Sequence, residues 1–178
     1  KSNIEAISKF INKKVVVLAQ VNTRAVEILK YDPHVLEIIN LDKKGFFNII
    51  KKIKYYFFYQ SYIYSDSLRL YLITKLSGIK ENFQYKLFSK KGKNFFRFAK
   101  EFTENTLNTE IDHQSKIYWN IDEVEKAKKK FDISNKTKNI ICGISASGPT
   151  KRWNIKNYIK LLENLNNKFP CKFFIGAG

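Results

Sequence analysis

Apolar residues recur along this chain in a fixed order, a helical period followed by a short unbroken apolar run, and that order starts again near the C-terminal end. Residues 4–11 carry Ile4, Ala6, Ile7, Phe10 and Ile11 at helical spacing, closed by Asn12-Lys13-Lys14. Residues 15–19 then form a continuous apolar run, the kind found in strands covered on both faces of a parallel sheet. Asn22-Thr23 is expected to cap a helix over residues 25–30 that Asp32-Pro33 stops. Residues 35–41 supply the next strand, closed by Asp42-Lys43-Lys44-Gly45. From Asn139 the order restarts, with a strand over 140–144, a loop over 145–150, a helix over 155–166 and a strand over 171–175. Helix and strand in alternation specify an α/β layer fold with parallel sheets.

The middle of the chain is less regular. Residues 46–56 are basic and amphipathic, and residues 57–64 are a strand candidate rich in aromatics. Ser65-Asp66-Ser67 should cap a helix over 68–76 that ends at Ser77-Gly78. Aromatics interleaved with lysine over 51–64 also suit a membrane headgroup layer, a reading that stands beside the helix and core strand. Residues 82–93 carry turn chemistry without a period, 95–107 return to helical spacing, and the polar run 108–116 reads as an interdomain linker. The expected division is one domain over 1–112, a linker with an exposed helix over 113–138, and the start of a second domain over 139–178.

Composition narrows the classes. The chain has 178 residues, 44% of them hydrophobic, ample for buried cores and unlike a disordered tail. No apolar run approaches the roughly 20 residues that cross a bilayer. The chain opens Lys1-Ser2-Asn3 without a methionine anywhere and closes on an apolar run into glycine, so both ends read as cut. Cys142 and Cys171 each sit in an apolar run, which suggests reduced core residues and a reducing compartment. The net charge of +17 would ordinarily point to nucleic acid or an anionic membrane. The lysines are spread among abundant Asn, Ile, Phe and Tyr, however, a mixture that an AT-rich genome also produces, and no nucleic-acid-binding signature accompanies them.

Chemistry concentrates in Ser145-Ala146-Ser147-Gly148-Pro149-Thr150-Lys151-Arg152-Trp153-Asn154, between the restarting strand and its helix. A strand-to-helix turn brings backbone N–H groups and a helix dipole to one point, which attracts anions. Gly148 is expected to permit a tight backbone, Ser145, Ser147 and Thr150 offer hydroxyls, and Lys151 and Arg152 supply charge where a diphosphate would sit. The pattern is neither a Walker loop nor a dinucleotide fingerprint. An ordinary connection with a solvated Lys-Arg pair fits the same residues.

The run Gly148-Pro149-Thr150-Lys151-Arg152-Trp153, with Tyr158 and Leu161-Leu162 on the helix, resembles the signature that opens the C-terminal domain of glycosyltransferase family 9, the ADP-heptose:lipopolysaccharide heptosyltransferases of bacteria. The order of elements up to Asp42-Lys43, with Asp32-Pro33-His34-Val35 at a helix end, and Leu76-Ser77-Gly78-Ile79 are similar to the family's N-terminal half. The resemblance implies a GT-B arrangement, two Rossmann-like domains facing across a cleft, incomplete here, with the donor held mostly by the second. It implies inverting, metal-independent transfer of heptose from ADP-heptose, with no cofactor, onto a lipid-linked acceptor, the Kdo-containing core on lipid A. Lys151 aligns with a family lysine on the donor phosphates. Asn154 stands where the family commonly has Pro, and Ser145-Ala146 near its usual Pro-Gly-Ala. The family's general base would precede Lys1 and another donor-site segment would follow Gly178, so no catalytic residue is assigned here and the chain alone is expected to be inactive.

The same resemblance places the protein in the cytoplasm, with a peripheral contact on the inner membrane, and without a nucleic-acid partner. On the acceptor side Asp66 and Ser67 follow a strand and are weak candidates beside a plain capping role. His34 and His113 lack a second ligand at metal spacing and are read as surface or packing residues, whereas Trp119 and Trp153 are read as packing residues, the latter also as a buttress to the loop. The alternative reading is a basic, non-catalytic module that binds anionic lipid or nucleic acid.

Overall fold

The computed structural model describes residues 1–41, 45–85, 94–112, 114, 116–146 and 148–176. Asp42, Lys43, Lys44, His113 and Ser147, and most of the expected turn segment 82–93, lie outside them. Contacts divide the chain into two units, Lys1–Trp119 and Asn120–Gly178. In order, the first contains α1 (Ser2–Ile11), β1 (Val15–Gln20), α2 (Ala25–Leu29), β2 (Val35–Leu41), α3 (Phe46–Tyr55), β3 (Gln60–Ile63), α4 (Leu68–Leu76), β4 (Glu81–Gln84) and α5 (Phe95–Leu107). The second contains α6 (Ile121–Lys130), β5 (Lys138–Gly143), α7 (Ile155–Lys168) and β6 (Cys171–Gly176). The α6 helix, which the sequence reading placed in a linker, falls within the second unit.

Every strand pair is parallel: β1 with β2, β3 with β4, and β5 with β6. This is the α/β class with parallel sheets expected from the alternation. Asparagine does much of the punctuation. Asn12 and Asn108 end α1 and α5 in the left-handed conformation, with φ of 51° at each, a geometry asparagine tolerates better than most residues. Asn94 and Asn120 open α5 and α6 by accepting amides two or three residues ahead.

Three details depart from expectation. Val21–Thr23 form a 3-10 turn instead of a cap, the Thr23 hydroxyl donates to the Gln20 carbonyl at 2.6 Å, and Arg24 with φ 52° precedes α2. The aromatic run 57–64 contributes only Gln60–Ile63 to a strand, because Tyr56, Phe57 and the turn after them close α3. Glu81–Gln84 form β4, a strand that four largely polar residues do not announce.

The first unit's core gathers Ile39 of β2, Ile49, Ile50 and Ile53 of α3, Ile73 of α4 and Ile79 before β4. Ile49 and Ile53, four apart, and Ile50 between them make one stripe on α3, so helical spacing converts directly into a buried face. A second cluster is aromatic. The Tyr85 ring lies 4.5 Å from Phe98 and 4.8 Å from Phe102, Phe102 lies 5.3 Å from Tyr64, and the Tyr64 hydroxyl meets Thr103 Oγ1 at 2.6 Å. Apart from these, His34 packs against α1, its Nδ1 3.3 Å from the Ser8 hydroxyl.

Burial pushes the Tyr64 phenol up from 10.0 to about 12, outweighing the Thr103 hydrogen bond, and burial raises Tyr85 as well. Because the folded value exceeds the unfolded one, the protonated phenol contributes stability fully below the unfolded pKa, and that contribution is lost as pH rises through the folded value. Stability to urea should therefore fall by about 3 kcal/mol from Tyr64 over that alkaline window. Replacing Tyr64 by Phe should flatten the slope, and an unchanged slope would assign the effect elsewhere.

The second unit is thinner. Among its described residues none is buried, and Ile141 on β5 is 80% exposed, so the strands expected to be fully buried are covered on one side at most. Cys142 and Cys171 are free and half-buried, not core. The reason is architectural: a pair of strands with α7 against β6 leaves a second sheet face without a layer.

Candidate functional site

β5 ends at Gly143, and the Ile144 amide extends the ladder to the Gly176 carbonyl at 3.1 Å. The chain then crosses to α7 through a loop and a 3-10 turn over Pro149–Lys151, in which the Lys151 amide donates to the Gly148 carbonyl at 3.0 Å. Arg152 Nε reaches back to the Ala146 carbonyl at 3.1 Å and closes the loop on itself. The Asn154 side chain accepts the Lys156 amide at 2.9 Å, and its carbonyl accepts the amides of Asn157 and Tyr158. Asn154 thus takes up the first amides of α7, and any anion must be met upstream of them, along the turn itself.

Two aromatic residues brace this turn. The Tyr158 hydroxyl donates to the Gly143 carbonyl at 3.2 Å, and the Trp153 ring stands edge to face on Tyr158 at 4.9 Å, which is the buttress expected of Trp153. Trp119, by contrast, is 68% exposed and packs little. The tight-turn role expected of Gly148 is absent: its φ is outside the left-handed region, and a Cβ there would meet nothing within 4 Å. The fold does not require a glycine at that point, so what the missing side chain leaves is bare backbone open to close approach from outside.

Thr150, Lys151 and Arg152 are exposed, as is Ser145, whose side of the loop is engaged by the protein. Among the described residues the Lys151 ammonium has no hydrogen-bond or ion-pair partner. Arg152, by comparison, spends one N–H on a neutral carbonyl. The arrangement is a cationic turn with an unpaired ammonium beside uncovered backbone. Such a turn meets a phosphate with little reorganisation. The Tyr158 bond fixes where α7 leaves the strand, so Tyr158→Phe should weaken an anion held by this turn about threefold, at the low end of a single hydrogen bond's net worth. Titration of ADP would check it, and an unchanged affinity would make Tyr158 purely structural.

The first unit holds an open pocket of about 320 Å³ where the carboxyl ends of its strands converge. Gln20 closes β1, Leu41 closes β2, and Ser65, Ser67 and Arg69 come from the β3–α4 connection. In open α/β sheets this edge is where ligands bind. Gln84 steadies the connection by donating to the carbonyls of Ser65 at 2.9 Å and Ser67 at 3.1 Å. Ser67 occupies the cap position of α4 without a side-chain cap bond and lines the pocket, whereas Asp66 is exposed and outside the lining. Gln20, Asn22 and Arg69 line it too. Only their positions, just past strand ends and at a helix start, could have pointed to them.

Among the described residues no cluster of His, Cys, Asp and Glu could hold a metal, and no helix is long and apolar enough to cross a membrane. No protein-family model matches the chain, and no curated protein matches it by sequence. Its fold does have counterparts. The structure of E. coli ADP-heptose lps heptosyltransferase II matches 98% of this chain with a TM-score of 0.75 at 15% identity, over 58% of its own length. The crystal structure of the glycosyl transferase family 9 from Veillonella parvula DSM 2008 matches 98% of this chain with a TM-score of 0.69 at 13% identity, over 56% of its length.

The fold class is therefore α/β of the GT-B glycosyltransferase type, of which this chain represents a part. One of these two structures is described as a member of glycosyltransferase family 9, the family that the Lys151-Arg152-Trp153 turn resembles. The chain spans a little over half the length of these two proteins.

Proposed function

We propose that this chain is part of a family 9 glycosyltransferase that moves a sugar from a nucleoside diphosphate onto a lipid-linked saccharide. Heptose carried on ADP is the leading donor, and the core saccharide of a lipopolysaccharide the leading acceptor. An acceptor hydroxyl gives up its proton to a general base of the intact protein, its oxygen bonds to the anomeric carbon from the face opposite the diphosphate, the bond to the diphosphate breaks, and the configuration inverts. Charge accumulates on the departing diphosphate, and a cation preorganised beside it stabilises that charge more in the transition state than in the ground state. Lys151 takes that role, with Arg152, Thr150 and Ser145 from the same loop, and Ser147, which lies outside the described residues, adds a further hydroxyl in sequence. Ser67 and the pocket at the strand ends of the first unit face the acceptor, with Asp66 beside them. The work is done in the cytoplasm, against the inner membrane.

The observation that carries the reading is the Lys151 ammonium, exposed and unpaired on a turn bearing the family-like sequence. Support comes from the fold shared with the two glycosyltransferases. The test is transfer by the intact protein, supplied with ADP-heptose and a heptose-deficient lipopolysaccharide. Release of ADP with formation of an inverted linkage is expected. Transfer from a different nucleotide sugar would keep the class and change the donor, and no transfer from any nucleotide sugar would end the proposal.

A further inference from the structure

The outer side of α3 and the turn after it presents aromatic rings to solvent. Phe47, Lys51, Lys54 and Tyr55 recur at helical spacing on the face opposite Ile49, Ile50 and Ile53. Phe47 is 80% exposed, Tyr55 79% and Phe57 91%, with Tyr59 following at 56%. An isolated exposed apolar side chain is ordinary, but several in one short stretch are not.

Phe57 is the sharpest of them. Its φ is 52°, the left-handed conformation at a helix end where glycine is usual, and its amide donates to the Lys54 carbonyl at 3.2 Å. Glycine would close α3 there without strain, so the phenylalanine burdens the fold while its ring packs on nothing inside. The charges around it are all of one sign in effect. Glu37 is engaged by Lys52 and Tyr56, and Glu81 by Gln60 and Tyr59. Lys51 and Lys54 have no partner among the described residues, and Lys80 Nζ lies 5.6 Å over the Tyr59 ring.

We propose that this surface docks the protein on an anionic lipid bilayer, with Phe47, Tyr55 and Phe57 entering the headgroup layer and Lys51 and Lys54 meeting lipid phosphates. Rings this exposed stand proud of the surface and do not line a groove, which suits insertion among headgroups and not stacking along a nucleic-acid strand. The net charge of +17 draws the chain to the same surface at long range. β3 begins beside this patch at Gln60 and runs away from it, and the pocket lined by Ser65 and Ser67 follows its far end. The surface stands on these exposures and charges alone and does not depend on the transferase reading.

The test is co-sedimentation of the intact protein with phosphatidylcholine vesicles, with and without phosphatidylglycerol, at rising salt. Binding should require phosphatidylglycerol and fall with salt. The pair Lys51→Ala and Lys54→Ala should lower partitioning about 30-fold, roughly fivefold per lysine. Phe57→Gly should lower it about tenfold, the scale of a partly buried aromatic ring, while leaving Tm unchanged or higher because the left-handed strain is relieved. That variant separates lost docking from lost folding. Vesicle binding indifferent to these substitutions, no vesicle binding at all, or a patch-dependent dimer or oligonucleotide complex in its place would each overturn the proposal.

Discussion

Ile73→Ala should destabilise the first unit by about 4 kcal/mol, the upper part of the range for emptying a closed aliphatic site. Ile73 has no exposed surface, and it joins α4 to the Ile49, Ile50 and Ile53 stripe of α3 and to Ile39 of β2. The vacancy would face Ile49, Ile50 and Ile53 of α3, Ile39 of β2 and Ile79, so its walls have little freedom to collapse into it. The loss adds a cavity to the transfer free energy. Urea unfolding followed by the near-UV signal of the aromatic cluster around Tyr85 would measure it. Leu36→Ala, on β2 of the same unit, is the control: that side chain is 58% exposed, and its removal should change stability by less than about 0.5 kcal/mol. Equal effects at the two positions would mean that the core described here is not the one that holds the unit together.

The second large effect is functional. In the intact protein Lys151→Ala should reduce kcat/KM for the donor about 100-fold, because an ammonium with no partner among the described residues is available for the diphosphate, whereas Arg152 holds its Nε on the Ala146 carbonyl. Both parameters should move, KM because the ground-state diphosphate loses a contact and kcat because charge grows on it during transfer. Lys151→Arg should recover part of the loss, since charge is kept while the compact point donor is not. A variant with wild-type kinetics would remove Lys151 from the site.

Much of the architecture is legible in the sequence because helical and strand periods differ and each leaves its own imprint. The α4 helix over 68–76 and the start of α7 at Ile155 follow from capping residues and apolar spacing. β4 escapes, since Glu81-Asn82-Phe83-Gln84 is stabilised by pairing with β3 and by Ser61 and Gln60 contacts across the pair, none of which a local pattern can display. The exposure of β5 escapes for a related reason: Ile141 and Cys142 read as core residues, but which face is covered depends on how many layers surround the strand. At the turn, the residue types fit a phosphate site as well as a solvated loop, and the division of labour between them does not show in the sequence. Asn154 takes the helix amides and Arg152 is committed to Ala146, while among the described residues the Lys151 ammonium has no partner, facts that rest on three-dimensional contacts. The pocket in the first unit is harder still, because parallel pairing brings Gln20 beside Leu41, the β3–α4 connection adds Ser67, and the three lie far apart along the chain.

The central claim, that the turn from Gly143 to Asn154 receives a diphosphate through Lys151, is tested most directly by calorimetric titration of the intact protein and its Lys151→Ala variant with ADP, AMP and adenosine. The wild type should favour ADP over adenosine by about 100-fold, and the variant should lose roughly tenfold for ADP with adenosine unchanged, as expected when one charge-assisted contact to phosphate is removed. An ADP affinity that is the same in both proteins would contradict the claim.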